Sequence, residues 1–372
     1  MTASPSPRPV SVEVDVAVVG ARVAGSVVAT LLGRAGHHVL VVDTATFPSD
    51  TISTHFFRGG GLGDVLEDLG LLPDVLSAGC PPLTCQYDYG GDDPTPTVGG
   101  PQDPGSLGYC LSIRRVSLDA LLVGLARRTP GVDVWESTPA RSLIREDGHV
   151  RGLRVQRGGE DVEVQARLVI GADGRGSSVA RWADAPIQRR EPATRAMYYR
   201  YVRGLPGPGA SRDGPEFSIR GDELVYVFPS DDDVACVAVS IDLETFAAFR
   251  KDPAGMFERH VLAHPGIADR YAASTPEPRV LGSGLKDAVI RMPYGPGWAL
   301  VGDASMVQDP WTGLGMDNAA THARFLAEAV DGWLAGRVTE GDALAAYARR
   351  RDEHALDGFE FTADLGRDLS RL

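Results

Sequence analysis

Residues 14–43 read VDVAVVGARVAGSVVATLLGRAGHHVLVVD, and this stretch decides the fold class. Val12 to Val19 is a nearly continuous β-branched run closed by Gly20, the pattern of a strand buried on both faces of a parallel sheet. Residues 24 to 35 follow a helical pattern ended by Gly36, and His38 to Val42 supplies a second buried strand. Strand, helix and strand make a βαβ unit of the usual length, about 30 residues. In a dinucleotide-binding unit the first glycine permits the tight turn, the second lets backbone approach the pyrophosphate, and the third lets helix and strand pack closely. Gly20 and Gly25 take the first and third places, Ala24 lies between them, and Arg22 stands where the second glycine is expected. The helix start offers unpaired N–H groups and partial positive charge to phosphates. Asp43 ends the second strand 18 residues after Gly25 (43 minus 25), near the place of an acid that holds a ribose hydroxyl. The Arg22 guanidinium has three readings: it meets a cofactor phosphate, it meets an acid that holds the neighbouring loop, or it is a solvated side chain.

The 372 residues suffice for two domains, and 43% hydrophobic with 23% charged residues is an ordinary globular balance. A formal net charge of -13 argues against a nucleic-acid surface, which needs a basic footprint. Positive charge is almost all arginine, the only lysines being Lys251 and Lys286. Cys80, Cys85, Cys110 and Cys236 form no CxxC pair and no zinc spacing, so they read as reduced core thiols, and no metal site is expected. The leading MTASPSPRPVS lacks the apolar core of a signal peptide, and no run approaches a membrane span; a short frayed tail on a cytoplasmic protein is expected.

Two further apolar strands share the character of the first, Ala166 to Ile170 before GADGRG and Trp298 to Val301 before GDAS. Between them the chain changes. Residues 83–89, 195–202, 216–220, 223–229 and 234–240 read as strands of an antiparallel sheet, several of them aromatic or alternating. The Gly/Pro-rich stretches 90–105 and 204–215 read as mobile hairpin connections. Apolar spacing from Glu340 suits packed terminal helices. The expected fold is therefore α/β. A Rossmann-type nucleotide domain is assembled from residues 1–74, 111–183 and 286–339, a β-sheet substrate domain from 75–110 and 184–285 is inserted, and C-terminal helices occupy 340–372.

Residues 166–181, ARLVIGADGRGSSVAR, resemble the DG segment of the FAD-dependent monooxygenases of the p-hydroxybenzoate hydroxylase type. Residues 297–323, GWALVGDASMVQDPWTGLGMDNAATHA, resemble their GD segment, and the order and separation of all three motifs match. The resemblance implies FAD as cofactor. It places Gly302 and Asp303 at the ribityl or pyrophosphate region, with Asp173 and Gly174 beside them. It puts Pro310, Gly313, Leu314 and Gly315 at a helix start facing the flavin. Arg115, in SIRRVSLDALLVGLA, matches a family arginine that touches the cofactor, with Arg114 as its neighbour and rival. Arg58, in STHFFRGGGLGDVLEDLGLL, falls where the family places basic residues near the ring or substrate. The chain departs from the family pattern at Ser305 and Met306 (for Ala-His), Leu314 (for Gln), Asp317 (for Asn) and His322 (for Asp). Asp317 reads as a first-turn acid and His322 as a packed helix residue.

A flavin of this class takes hydride from NAD(P)H, reacts with O2 and delivers one oxygen atom from a C4a-hydroperoxide. The implied activity is hydroxylation or epoxidation of a small aromatic or polycyclic molecule, with His55, Arg58 and Tyr226 as candidate polar groups of the pocket. No second dinucleotide fingerprint is present, so NAD(P)H binds transiently or a partner flavin reductase supplies electrons. The rival reading is a FAD-dependent reductase of the geranylgeranyl-reductase type acting on C=C bonds, because YVFPSDDDVACVAV also resembles the central sheet of those enzymes. A flavin halogenase needs a catalytic lysine in the first FAD segment and a WxWxIP sequence, and neither is present.

Overall fold

The structure is a computed structural model that describes residues 10–53 and 55–371. Of the leading stretch expected to fray, residues 1–9 lie outside the described residues, and Val10 and Ser11 already belong to a strand. β1 (Val10–Val19), α1 (Val23–Arg34) and β2 (Val39–Val42) form the expected unit. β1 is central in a sheet where Trp298–Leu300, Glu160–Gly171, β1, β2 and Val132–Trp135 run parallel in that spatial order. Its unbroken apolar run follows from burial on both faces. Val16 and Val18 pack with α1 and helix Gly315–Leu334, whereas Ala17 and Val19 pack with Leu143, Val155, Val164 and Leu300.

Strand Glu160–Gly171 is longer than expected because its first half closes a meander with Ala140–Glu146 and His149–Arg157. That meander is hard to see in sequence, since its outer face is densely charged. The inserted sheet contains all five expected strand regions, although the first is displaced to Gln86–Gly90, with Leu83 in a single bridge to Cys110. It is mixed rather than purely antiparallel, because Glu216–Arg220 pairs in parallel with Gln86–Gly90. Those two strands arrive from distant segments, so no hairpin constrains their direction.

The stretch 204–215 is not a hairpin connection. It joins strands Arg195–Arg203 and Glu216–Arg220, which are separated by Val234–Asp242 and Glu223–Pro229. It is also pinned, with Pro206 O accepting from Arg270 (2.6 Å) and Arg212 donating to Ser230 O (3.1 Å) and Val234 O (3.0 Å). The other Gly/Pro stretch does turn back as a hairpin, Gln86–Gly90 against Thr97–Gly99, but its distal part is fixed. A side chain on Gly59 would overlap Pro104 O, one on Gly60 would overlap Asp103, and one on Gly61 would overlap Asp317. The glycine triplet thus lets two segments close on one backbone.

Strict alternation divides the inserted sheet. Val225, Val227, Val237 and Val239 face three helices, Leu243–Lys251, Pro253–Leu262 and Pro265–Ala272. Tyr199, Tyr226, Phe228 and Cys236 face the other way, toward Phe56 and Trp311 of the nucleotide domain. The expected terminal helices are one helix, Glu340–Leu365, followed by a single 3-10 turn. It is clamped by Tyr347 Oη donating to Leu300 O (2.7 Å), by Trp311 Nε1 donating to Thr362 O (2.9 Å), and by the fully buried Arg351, which donates to Ser305 Oγ and Arg291 O (both 2.8 Å). Ser305, a departure from the family pattern, is therefore an anchor for this helix. Among the described residues no helix is long and apolar enough to cross a membrane.

Candidate active site

The dinucleotide turn is built by exclusion. Gly20 sits at φ +103°, and a Cβ there would overlap Ala172 O; a Cβ on Gly25 would overlap Gly20 O. Ala24 lies beneath Gly302, which has φ +61° and whose added Cβ would press on the Ala24 methyl at 3.1 Å. The start of α1 has no side-chain cap and no acid in its first turn, so its N–H groups face the cleft unopposed. Asp43 accepts from Ala21 N and Ala45 N (both 2.7 Å), which fixes the turn and the loop after it. Each of its oxygens keeps a lone pair for a ribose hydroxyl.

Arg22 is turned sideways out of this turn. Its guanidinium forms an ion pair with the fully buried Asp119 and donates to Ser49 Oγ (3.1 Å), Ser49 O (3.3 Å) and Asp50 O (3.2 Å). It also lies 5.4 Å from the centre of the Phe47 ring. Of the three readings open in the sequence, the structure takes the acid and the loop. Asp119 holds Arg115 as well, through Nε (3.1 Å) and Nη2 (2.9 Å). Arg114 instead grips Asp231 of the inserted sheet at 3.0 Å, so the two adjacent arginines face different domains.

In the DG segment, Asp173 accepts from Ser177 Oγ (2.5 Å), Ser178 N (2.6 Å) and Val179 N (3.2 Å), capping helix Ser178–Trp182, while Gly174 takes φ +75°. In the GD segment, Asp303 is half-buried and no hydrogen bond to its carboxylate forms among the described residues. Burial pushes this carboxyl above its ordinary value, while Arg175, Arg115 and Arg291 pull the other way. A half-buried acid without a donor, beside an uncapped helix start and two glycines that admit no side chain, fits the hydroxyls and diphosphate of FAD. Gly313, at φ +70°, ends the turn Pro310–Thr312, and helix Gly315–Leu334 starts two residues later. The Leu314 side chain points to Gly358 of the last helix, leaving only its backbone toward the cleft.

Beside that turn lies a narrow cleft of about 10 Å³, room for a single water, lined by Phe56, Arg58, Phe217, Tyr226, Phe228, Pro310, Thr312 and Gly313. The structure thus brings together Arg58 and Tyr226, from distant segments, at the glycine turn. Arg58 is held by Asp317 (3.1 Å), Thr312 O (3.0 Å) and Gln102 Oε1 (3.2 Å). Asp317, in the first turn of its helix, also accepts from Leu62 N (3.0 Å) and Arg58 N (3.2 Å). Tyr226 Oη donates to Trp311 O (2.5 Å), and burial keeps the phenol protonated. Its hydroxyl therefore braces the turn while its ring lines the pocket.

His55 does not join them. It is fully buried at φ +69°, hydrogen-bonded to Tyr201 Oη (2.8 Å), with burial pushing its imidazole down to about 3. It is a neutral group of the interdomain interior. Sequence reasoning did not single out Phe56, Phe217, Gln102 or Asp119. Only Asp119 carried a usable signal, its helical i,i+4 spacing from Arg115. His322 is also fully buried, edge-on to His354 at 5.3 Å, as a packed helix residue.

The sequence profile of the FAD binding domain family matches residues 13–203. A digeranylgeranylglycerophospholipid reductase of Thermoplasma volcanium is 29% identical over 322 residues, covering 84% of this chain and 77% of its own. PqsL of P. aeruginosa, solved in complex with 2-aminobenzoylacetate, superposes with a TM-score of 0.83 at 24% identity, over 96% of this chain and 98% of its own. The myxobacterial chondrochloren halogenase CndH gives 0.84 at 22% identity, over 94% and 82%. At such identities the two superpositions establish the fold.

Proposed function

The chain belongs to the FAD binding domain family and is a FAD-dependent oxidoreductase; from that premise we propose that it is a monooxygenase, hydroxylating or epoxidising a small aromatic or polycyclic substrate with NAD(P)H and O2. The observation that carries this reading is the pocket at the Pro310–Gly313 turn. Four mutually packed aromatic rings, Phe56, Phe217, Tyr226 and Phe228, line its floor, an apolar surface of the kind a planar molecule covers. FAD, when bound, supplies hydride acceptance and oxygen activation. The protein's share is to bind, orient and exclude water. The rings desolvate the substrate plane, and Arg58 offers its remaining N–H donors to one acceptor on the substrate edge. Because Asp317 balances the Arg58 charge, a neutral oxygen such as a carbonyl or phenol suits this position as well as an anion.

A second reading, reduction of C=C bonds, is favoured by the relatives, which are digeranylgeranylglycerophospholipid reductases. Oxygen decides between them. With substrate present, a monooxygenase couples NAD(P)H oxidation to O2 uptake and places one atom of labelled dioxygen in the product. A product carrying two added hydrogens, formed equally well without oxygen, would establish the reductase reading.

A further inference from the structure

The loop of residues 44–53, which follows β2, passes beside the dinucleotide turn with few buried apolar contacts. Residues 44–53 contain no regular secondary structure, and Thr44, Thr46, Pro48, Asp50 and Ile52 are exposed. Its apolar anchoring comes mainly from the half-buried Phe47. A segment with so few buried contacts opens easily unless polar contacts fix it. On one side it is fixed by Phe47 N donating to Glu136 (2.8 Å) and by Thr46 Oγ1 against Ser137 Oγ (2.9 Å). On the other side Arg22 meets Asp119, Ser49 and Asp50 at once, and stacks against Phe47.

We propose that Arg22, with Asp119 as its buried counter-charge, latches this loop across the dinucleotide turn and makes FAD a resident group, retained through many turnovers rather than exchanged with free flavin. A glycine at this place would let backbone approach the phosphate but give the loop no attachment. Arginine fits the task because its planar fork meets a carboxylate and two carbonyls simultaneously, which a lysine ammonium does not. Asp119 is fully buried between Arg22 and Arg115, so the two guanidiniums share one carboxylate. The latch therefore ties the loop down without leaving an unpaired carboxylate beside the start of α1, where an anion is favoured. The consequence is that a reductant must come to the bound flavin. A reductase, if one acts, delivers electrons rather than reduced FAD. The inference rests on FAD binding and is independent of whether the bound flavin oxygenates or hydrogenates the substrate.

The test is the rate at which FAD leaves holoprotein, read by recovery of free-flavin fluorescence after dilution into an excess of a flavin-scavenging apoprotein. The parent should retain FAD for far longer than one turnover. Arg22→Ala should release it about ten- to hundredfold faster, the range set by lost hydrogen bonds to charged groups, and limited proteolysis should cut between residues 44 and 53. Arg22→Lys should fall between the two. Asp119→Asn should accelerate release as well, and the double variant Arg22→Ala/Asp119→Asn should be no faster than the faster single variant, because both remove one latch. Should Asp119→Asn fail to fold, Arg22→Ala with Ser49→Ala replaces it in the same cycle. Parent protein that exchanges its FAD within one turnover, or an Arg22→Ala variant with unchanged release and an uncut loop, would overturn the proposal.

Discussion

Removing the Asp317 charge should cost more stability when Arg58 is present than when it is absent. The Arg58 and Asp317 side chains are 13% and 5% exposed, so neither charge is well solvated. Asp317→Asn keeps an acceptor for Leu62 N or Arg58 N but leaves the guanidinium with two neutral partners, Gln102 and Thr312 O. Breaking a buried pair from one side costs about 3–5 kcal/mol, whereas removing both charges is often close to neutral. Arg58→Met keeps the aliphatic length and leaves the carboxylate with its backbone donors, so about 2–3 kcal/mol is expected. The double variant should then lose at least about 2 kcal/mol less than the sum of the two single losses, a coupling typical of contacting buried charges. Urea unfolding of FAD-saturated protein, with equal m-values across the four species, measures each corner of the cycle. Strict additivity, or single losses below about 1 kcal/mol, would refute the view that this pair fixes Arg58 at the pocket.

Three shorter predictions follow from the same geometry. Gly25→Ala should yield protein that does not bind FAD in titration, because the new methyl group overlaps Gly20 O within the turn. Asp303→Ala should weaken FAD binding by about 1–3 kcal/mol through loss of a half-buried acceptor, measured by quenching of flavin fluorescence. His264 is buried against Ser218 Oγ (2.7 Å), and burial pushes its imidazole from 6.5 to about 4. Its folded value lies below its unfolded one, so the associated stability is present above pH 6.5 and is lost as pH falls toward about 4. Between pH 7 and pH 5 this amounts to about 2 kcal/mol. His264→Gln should lose correspondingly less between those two pH values in urea midpoints.

The sequence by itself determined the nucleotide domain, because its signals are local. A strand buried on both faces must be apolar throughout, a turn that closes on Ala172 must carry glycine at residue 20, and both features appear without knowledge of any partner. The GD turn was equally legible, since Gly313 needs a backbone that few other residues adopt. The charged meander of residues 140–171 and the parallel pairing of Glu216–Arg220 with Gln86–Gly90 were not legible, because each depends on which distant strand lies alongside. The pocket shows the same limit. Arg58 and Tyr226 were visible as candidates, but only the fold showed that the Tyr226 hydroxyl braces Trp311 and that His55 is enclosed away from the pocket. Arg22 marks the boundary between the two kinds of information. Its oddity is written in the fingerprint, whereas its partner, Asp119, lies 97 residues further along the chain. A guanidinium long enough to reach either a phosphate or an acid has its destination decided by which counter-charge the tertiary structure buries within its range.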